Sequence, residues 1–470
     1  ICRLRGHRDR GYPGEAMKLT GTQDYSLSSG QLSVFHADLI GDDLPSDTGL
    51  SENERFHVDS HRAGHPGSLT LVLDFPYPVE RGLLARLPEV LLSRHDVLRT
   101  YVVADGHDLS RREVPLSSIG VSVDSQAPTD SSDAGMTKLV LERIALACNP
   151  TEPLSHFFGA VLRPDTTTVI CAFDHFYVDA RSLTVLAADI SDVVAGRALS
   201  SAGSGLAAVR AHTFSGDVAP DDPRLAGWFR FLDESDWEIP AFPLDLGLEP
   251  GRRAPMRTRV STLLGRSEAQ HFSSTVHTRG ARTFSALLTC IGRAIRLAGG
   301  PADTALIVPS GLQTSESIVA WVVANIPLRV RGEGDLVELL PLNADRLAEA
   351  LPLASVGLTA VYQTFGSRLR STRGDVFMVS YVDYTRQRRP SKDVAVQQLS
   401  GDHATDNVQW WLWRDDDGIH VRVRYPATAA AESVVGDVLE LTGAAVREIS
   451  ERLVDQRTSV GTSPSPAFLD

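Results

Sequence analysis

A chain of 470 residues exceeds what one ordinary core organises and falls short of three, so two lobes of roughly 200 residues each are expected. Its 42% hydrophobic and 22% charged residues are those of a folded globular protein, and no apolar run approaches the ~18–20 residues of a membrane helix. A net charge of −13 argues against nucleic acid or anionic membrane as a partner, since both call for a basic surface.

The chain opens Ile-Cys-Arg-Leu, and Met17-Lys18 is an internal candidate start, so residues 1–16 are set aside as a tag or extension. His57, His61 and His65 recur every four residues, as ligands on one helical face would. Gly64 and Pro66 break helical geometry there and no HExxH pattern is present, so an exposed loop or strand edge is expected and no metal site. Residues 70–75 alternate at the strand period, and Glu80 to His95 places Leu83, Leu84, Leu87, Val90 and Leu91 on one helical stripe. A helix is expected over Met136–Cys148. Two strands follow near 157–162 and 167–173, joined by the turn sequence Arg163-Pro164-Asp165. After Asp174-His175-Phe176-Tyr177-Val178-Asp179-Ala180 a helix begins near Arg181 and runs through Ile190.

Residues 196–223 are rich in Gly, Ser, Ala and Asp without a sustained period and read as the start of a connection between lobes. Beyond it, strands are expected near 257–264, 304–309, 322–330, 375–383, 407–413 and 418–425, and helices near 283–298, 353–370 and 429–453. The division is therefore 17–195 for the first lobe, 196–250 for the connection, 251–457 for the second lobe and 458–470 for a tail, in an α/β fold. Cys2, Cys148, Cys171 and Cys290 are dispersed with no CxxC and read as reduced thiols of a cytoplasmic protein. Only Lys18, Lys138 and Lys392 are lysines among 46 basic residues, the skew expected of a GC-rich, actinobacterial genome.

Several chemistries are disfavoured. No lysine follows a glycine as a P-loop requires, and neither G-x-S-x-G nor G-x-G-x-x-G occurs. What remains is His175-x-x-x-Asp179, a spacing that chance alone would supply about once at ordinary composition. Its setting adds weight, because turns between strand and helix are where α/β proteins present functional side chains. Histidine is the natural base near neutral pH, and an aspartate four residues on can brace the loop. The residues alone leave open a catalytic and a purely structural histidine.

Three further stretches bear on that choice. Arg94-His95-Asp96-Val97-Leu98-Arg99-Thr100 resembles the RHExLRT helix end of condensation-domain proteins, and Asp174–Ala180 resembles their HHxxxDG motif. Val323-Ala324-Asn325-Ile326-Pro327-Leu328-Arg329 is similar to their FxNxxPLR segment. Trp228 to Gly247, ending Phe242-Pro243-Leu244-Asp245-Leu246-Gly247, resembles the lobe connection of polyketide-associated acyltransferases. The order and spacing agree over roughly 20–455, and on these motifs the chain is identified as a member of the condensation-domain superfamily.

The resemblance implies two chloramphenicol-acetyltransferase-like lobes arranged as a V about a central tunnel, with a loop of the second lobe, expected at 400–420, latching onto the first. It implies transfer of an acyl group from a thioester, on the phosphopantetheine of an acyl or peptidyl carrier protein acting in trans or on coenzyme A, to an alcohol or amine acceptor in natural-product (polyketide or nonribosomal peptide) biosynthesis. The thioester is a substrate, and no permanently bound cofactor or metal is implied. His175 would be the general base. Asp179 would be structural and paired with Arg329, or alternatively with Arg99. The chain departs from the motif at Asp174, where the first histidine stands, and at Ala180, where the glycine stands. The rival expectation is a catalytically silent condensation-fold module that docks a carrier protein or tailoring enzyme.

Overall fold

The computed structural model describes residues 26–106, 108–126, 130–212, 218–219, 221–312, 317–399 and 404–460. The extension at 1–16 and most of the expected tail lie outside the described residues. The chain divides into two compact units. Among the described residues the first comprises 26–211, 317–321 and 387–399, and the second the remainder.

The first unit is built on a six-stranded antiparallel sheet. Across it the strands run Ala395–Gln397, Ser68–Phe75, Thr167–Asp174, His156–Leu162, Gln31–Leu39 and Ile119–Gln126. Thr167–Asp174 is central, and every one of its residues is buried. A strand covered on both faces reads as a continuous apolar run rather than an alternation, which is how Val169-Ile170-Cys171-Ala172-Phe173 reads. The helix Asp133–Ala147 covers one face through Met136, Val140 and Ile144, packed against Leu32, Val34, Val72, Ile170 and Ala172.

The helix Glu52–Arg62 corrects the reading of the early histidines. Ser51 and Glu54 close a reciprocal capping box at its start. Gly64, with φ of +87°, and Pro66 follow its last turn, so the breakers end this helix instead of preventing it. His57 and His61 lie on it, and the His57 side chain is only 11% exposed.

The second unit carries a seven-stranded mixed sheet, ordered Val323–Arg331, Asp303–Gly311, Met378–Asp383, Gln409–Arg414, Gly418–Pro426, Ala254–Gly265 and Ala404–Thr405. Met378–Asp383 runs parallel to both its neighbours, and the remaining pairs are antiparallel. The helices Thr283–Leu297 and Ala429–Val460 bury Leu287, Ile291, Val435 and Val446 into one core with Trp410, Val421 and Val423 of the sheet. The expected helix at 353–370 is shorter, Leu358–Phe365, preceded by a 3-10 turn. A helix not anticipated, Leu336–Ala350, precedes it with Pro341 in its interior. Asp335 caps that helix by accepting from the Val337 and Glu338 amides.

The latching segment is also displaced from its expected place. The described part of 400–420 belongs to the second unit as sheet strands, while 387–399 belongs to the first. There Ala395–Gln397 adds an edge strand beside Ser68–Phe75, pairing Ala395 with Asp74 and Gln397 with Val72. Arg388 donates to Asp189 at 2.5 Å, and the Ser391 amide to Ser191 Oγ at 2.9 Å, which fixes the segment to the helix Ala180–Val194. No helix among the described residues is long and apolar enough to cross a membrane.

Candidate active site in the first unit

Two aspartates bracket the loop between Thr167–Asp174 and Ala180–Val194. Asp174 Oδ1 accepts from the Phe176 amide at 2.9 Å, and the Asp174 carbonyl accepts from the Tyr177 amide at 3.1 Å. An aspartate side chain bonded to the backbone two residues on is a standard way of turning a chain out of a strand. At the other end Asp179 Oδ1 accepts from both the Ser182 amide and Ser182 Oγ at 2.8 Å, capping the helix. Ser182 Oγ also lies 3.0 Å from the Ala320 carbonyl and 3.1 Å from the Ala320 amide, which brings the 317–321 stretch against the loop.

Ala180 is the first helical residue and has no positive φ, so alanine at the motif's glycine position carries no backbone strain. Asp179 and Arg329, expected as a pair, fall in different units. Arg329 lies in the second unit, where it donates to the Glu234 carbonyl at 2.6 Å and Ser235 Oγ at 3.1 Å, with the Glu234 carboxylate at 3.4 Å. Arg99, the alternative, donates to the Leu92 carbonyl. Asp179 takes its bonds from Ser182 because its place is a helix N-terminus, whose free amides want an acceptor. Burial pushes its carboxyl pKa upward, against the Ser182 bonds and the charge of Arg181.

His175 is half-buried and lies tilted against the Trp321 indole, with ring centroids 4.1 Å apart. Its amide donates to the Gly67 carbonyl at 2.9 Å. Nδ1 is buried without a hydrogen-bond partner. Burial, followed by the neighbouring His57, pushes its pKa down to about 4, against the opposing pull of the His175 and Val178 backbone and of Asp174. The imidazole is neutral at physiological pH and can accept a proton.

Asp174 is fully buried, and His57 reaches it: His57 Nε2 lies 2.6 Å from Asp174 Oδ1. Because a carboxylate only accepts, the Nε2 of His57 carries the proton of that bond. The His57 ring stands 6.0 Å from that of His175 and edge-on to Trp321 at 5.7 Å. The spacing of His57 within its own helix gave no sign of this partnership. Trp321, two residues before the recognised Val323–Arg329 segment, was likewise not singled out.

The RHDVLRT stretch places the frame around this loop. Arg94 Nε and His95 Nε2 both reach Asp189 Oδ2, at 2.7 and 2.9 Å, tying the helix end to Ala180–Val194. Asp96 Oδ1 accepts from the Gly205 and Leu206 amides at the start of the helix Gly205–Ala211. Beneath the loop, Arg111 lies over the Phe176 ring at 4.9 Å, and the His156 and Tyr177 rings meet edge to face at 4.8 Å. No three His, Cys, Asp or Glu side chains among the described residues converge as a metal site.

A two-unit α/β chain whose histidine loop leaves a central strand and enters a capped helix has the condensation fold, built of chloramphenicol-acetyltransferase-like units. No protein-family model matches the chain. The chain is 28% identical over 184 residues to 2'-acyl-2-O-sulfo-trehalose (hydroxy)phthioceranyltransferase PapA1 of Mycobacterium tuberculosis, a match covering 37% of this chain and 36% of that protein. It is 23% identical over 391 residues to acyltransferase PapA3 of the same organism, across 77% of this chain and 79% of that protein. Among solved structures it superposes on PapA2 acyl transferase with a TM-score of 0.81 at 18% identity, over 92% of this chain and 99% of the other. On the condensation domain of the Monacolin K polyketide synthase MokA the TM-score is 0.64 at 14% identity, over 88% and 98%. The chain thus has the condensation fold and is similar in sequence to PapA acyltransferases.

Proposed function

We propose that this protein transfers an acyl group from a thioester to a hydroxyl acceptor, with His175 as general base. The observation that carries the reading is the state of His175: neutral at working pH, Nδ1 buried, and the ring held against Trp321 on a loop that is not fully enclosed. In the reaction Nε2 takes the proton of the acceptor hydroxyl as its oxygen attacks the thioester carbonyl. The tetrahedral oxyanion collapses, the carbon–sulfur bond breaks, and the imidazolium returns the proton to the departing thiolate. The products are an ester and a free thiol. No acyl-enzyme is needed, because the thioester is already activated and both substrates are held together.

The donor class is a thioester on coenzyme A or on a carrier protein's phosphopantetheine, in natural-product or lipid biosynthesis, inside the cell. The acceptor class rests on PapA1, whose name places a sulfated, acylated trehalose as its acceptor; we carry over only the hydroxyl. An amine acceptor is the other outcome of the same assay. Asp179 shapes the loop as the helix cap.

The test is intact-mass detection of acyl transfer from coenzyme A and carrier-bound thioesters to a panel of alcohols and amines. His175→Ala is expected to slow turnover by ~10²-fold or more with the fold retained. Unchanged turnover would remove His175 as the base. Carrier binding without turnover on any donor would favour the docking module instead.

A further inference from the structure

The strongest feature that the proposed reaction does not use is the buried pair beside its base. Asp174 is a wholly buried carboxylate that accepts the Phe176 amide and His57 Nε2 at Oδ1, while its Oδ2 has no hydrogen-bond partner. A buried carboxylate with one backbone bond is costly unless an opposite charge meets it. His57 Nε2 is the side-chain donor that meets it, at 2.6 Å. The helix that delivers His57 is itself held firmly, by the Ser51–Glu54 capping box and by the buried Glu54–Arg111 ion pair at 2.7 Å. The glycine preceding the strand that pairs with Thr167–Asp174 also leaves room for the ring: a Cβ at Gly67 would meet His57 Cε1 at 3.2 Å.

In the recognised motif the residue before the base is a histidine. Here it is an aspartate, and a histidine comes to it from a helix 117 residues earlier. His57, His175 and Trp321 then form one cluster, with His57 and His175 each in ring contact with the indole.

We infer that His57 is a positioning residue of this site, paired with Asp174 so that the strand exit and the imidazole of His175 keep their place and charge state. This rests on the reading of His175 as the base. His57 acts through Asp174 and Trp321 and does not itself exchange a proton with substrate. A positive charge at His57 would oppose protonation of His175, whereas the Asp174 carboxylate favours it, so the pair sets opposing influences on the base. The charged and titratable groups around the pair are His175 on the loop, His156 and Cys148 behind the strand, and Tyr177 on the far side of the turn; Asp174 acts on each of these. Asp179 and Arg181 lie beyond them at the start of the helix.

The test reads His175 directly. In the full chain with labelled histidines, the ring carbon–proton resonance of His175, assigned by its loss in His175→Gln, is titrated in wild type, His57→Gln and Asp174→Asn. Altering either member of the pair beside the ring should move the midpoint by about one pH unit, upward in His57→Gln and downward in Asp174→Asn. The reversed pair, His57→Asp with Asp174→His, should bring the midpoint back toward wild type and recover part of any lost rate. His57→Gln should lower kcat by ~10-fold or more with KM changed less than ~3-fold. A His175 midpoint that stays put in a folded His57→Gln protein would overturn the inference, as would a reversed pair no better than either single variant. If His57→Gln does not fold, Asp174→Asn and the reversed pair carry the same reading. If no thioester supports turnover in wild type, the acyl-transfer reading fails, while the titration still decides whether His57 sets the state of His175.

Discussion

Glu54 and Arg111 form an ion pair with both side chains fully buried, Oε1 and Nη2 standing 2.7 Å apart. Each is committed further. Glu54 Oε2 accepts the Ser51 amide at 2.7 Å, and Arg111 Nη1 donates to Thr100 Oγ1 at 2.9 Å while its guanidinium covers Phe176. Removing one member leaves the other charged and buried, which typically costs about 3–5 kcal/mol, whereas replacing both with apolar residues can be close to neutral. Arg111→Met and Glu54→Leu are therefore each expected to lower the stability of the first unit by about that amount, and Glu54→Leu with Arg111→Met by distinctly less than the sum. Urea unfolding followed through the tryptophan signal, with the four proteins as a double-mutant cycle, measures this. Strictly additive losses would show that the pair is not coupled.

Asp189 gathers two arginines and a histidine, Arg94, Arg388 and His95, onto one buried carboxylate. Burial alone would raise its pKa, but the bond from His95 leads a set of contacts that brings it below the ordinary value. Arg388 is the member that anchors 387–399. Asp189→Asn should thus loosen a strand that lies far from residue 189 in sequence. Hydrogen exchange at Ala395–Gln397 and the paired residues Val72–Asp74 is expected to rise by ~10-fold or more, with the strand Gln31–Leu39 little changed. Equal protection in mutant and wild type would mean that Arg388 does not hold the segment.

Asp179 distinguishes a cap from an ion pair. An asparagine caps a helix about as well as an aspartate, and alanine does not. Asp179→Asn is expected to change stability by no more than about 0.5 kcal/mol, since it also relieves a carboxyl whose pKa is raised by burial. Asp179→Ala should cost about 1–2 kcal/mol through the lost Ser182 bonds. If asparagine cost as much as alanine, a charge partner rather than the cap would be holding the loop. Thermal unfolding of the two variants separates these cases.

What the sequence made legible were features whose signal is local. The strands His156–Leu162 and Thr167–Asp174, the helix Ala180–Val194 and all the long strands of the second unit carry apolar runs or alternations bounded by turns. Gln31–Leu39 escaped because Leu32, Ser33, Val34 and Phe35 are buried in succession, with no alternation to read. Leu336–Ala350 escaped because an interior proline reads as a break. At the site, the His175–Asp179 loop was visible as a spacing, but the partners were not. Asp179 looked like half of an ion pair with a distant arginine, whereas its hydrogen bonds come from Ser182, three residues on. For Asp174 the sequence offered no partner: His57 lies 117 residues off, on a helix whose histidine repeat suggested only a rejected metal site. Partnerships of this kind depend on which segments the sheet brings together, and nothing in either segment alone encodes the choice.

The same packing sets a pH dependence with a definite sign. His156 is buried, its Nε2 lies 2.8 Å from the Leu98 carbonyl, and burial pushes its pKa down to about 4, against the Leu98 carbonyl and the charge of Asp174. His175 is pushed to about the same value. In the unfolded chain both return to about 6.5. Between about pH 4 and 6.5 the unfolded chain therefore binds more protons than the folded one, so stability rises with pH across that window and is lost on acidification. For the fully enclosed His156 the swing is on the order of 3 kcal/mol. His156→Phe removes this ionisation while keeping a ring against Tyr177. It is expected to cost stability at pH 7.5, where the Leu98 bond is lost, yet to flatten the slope of stability against pH between 6.5 and 4 by close to one proton. Urea midpoints at half-unit pH intervals measure that slope. A slope identical to wild type would show that His156 is not the neutral buried imidazole described, and that the acid sensitivity of the first unit arises elsewhere.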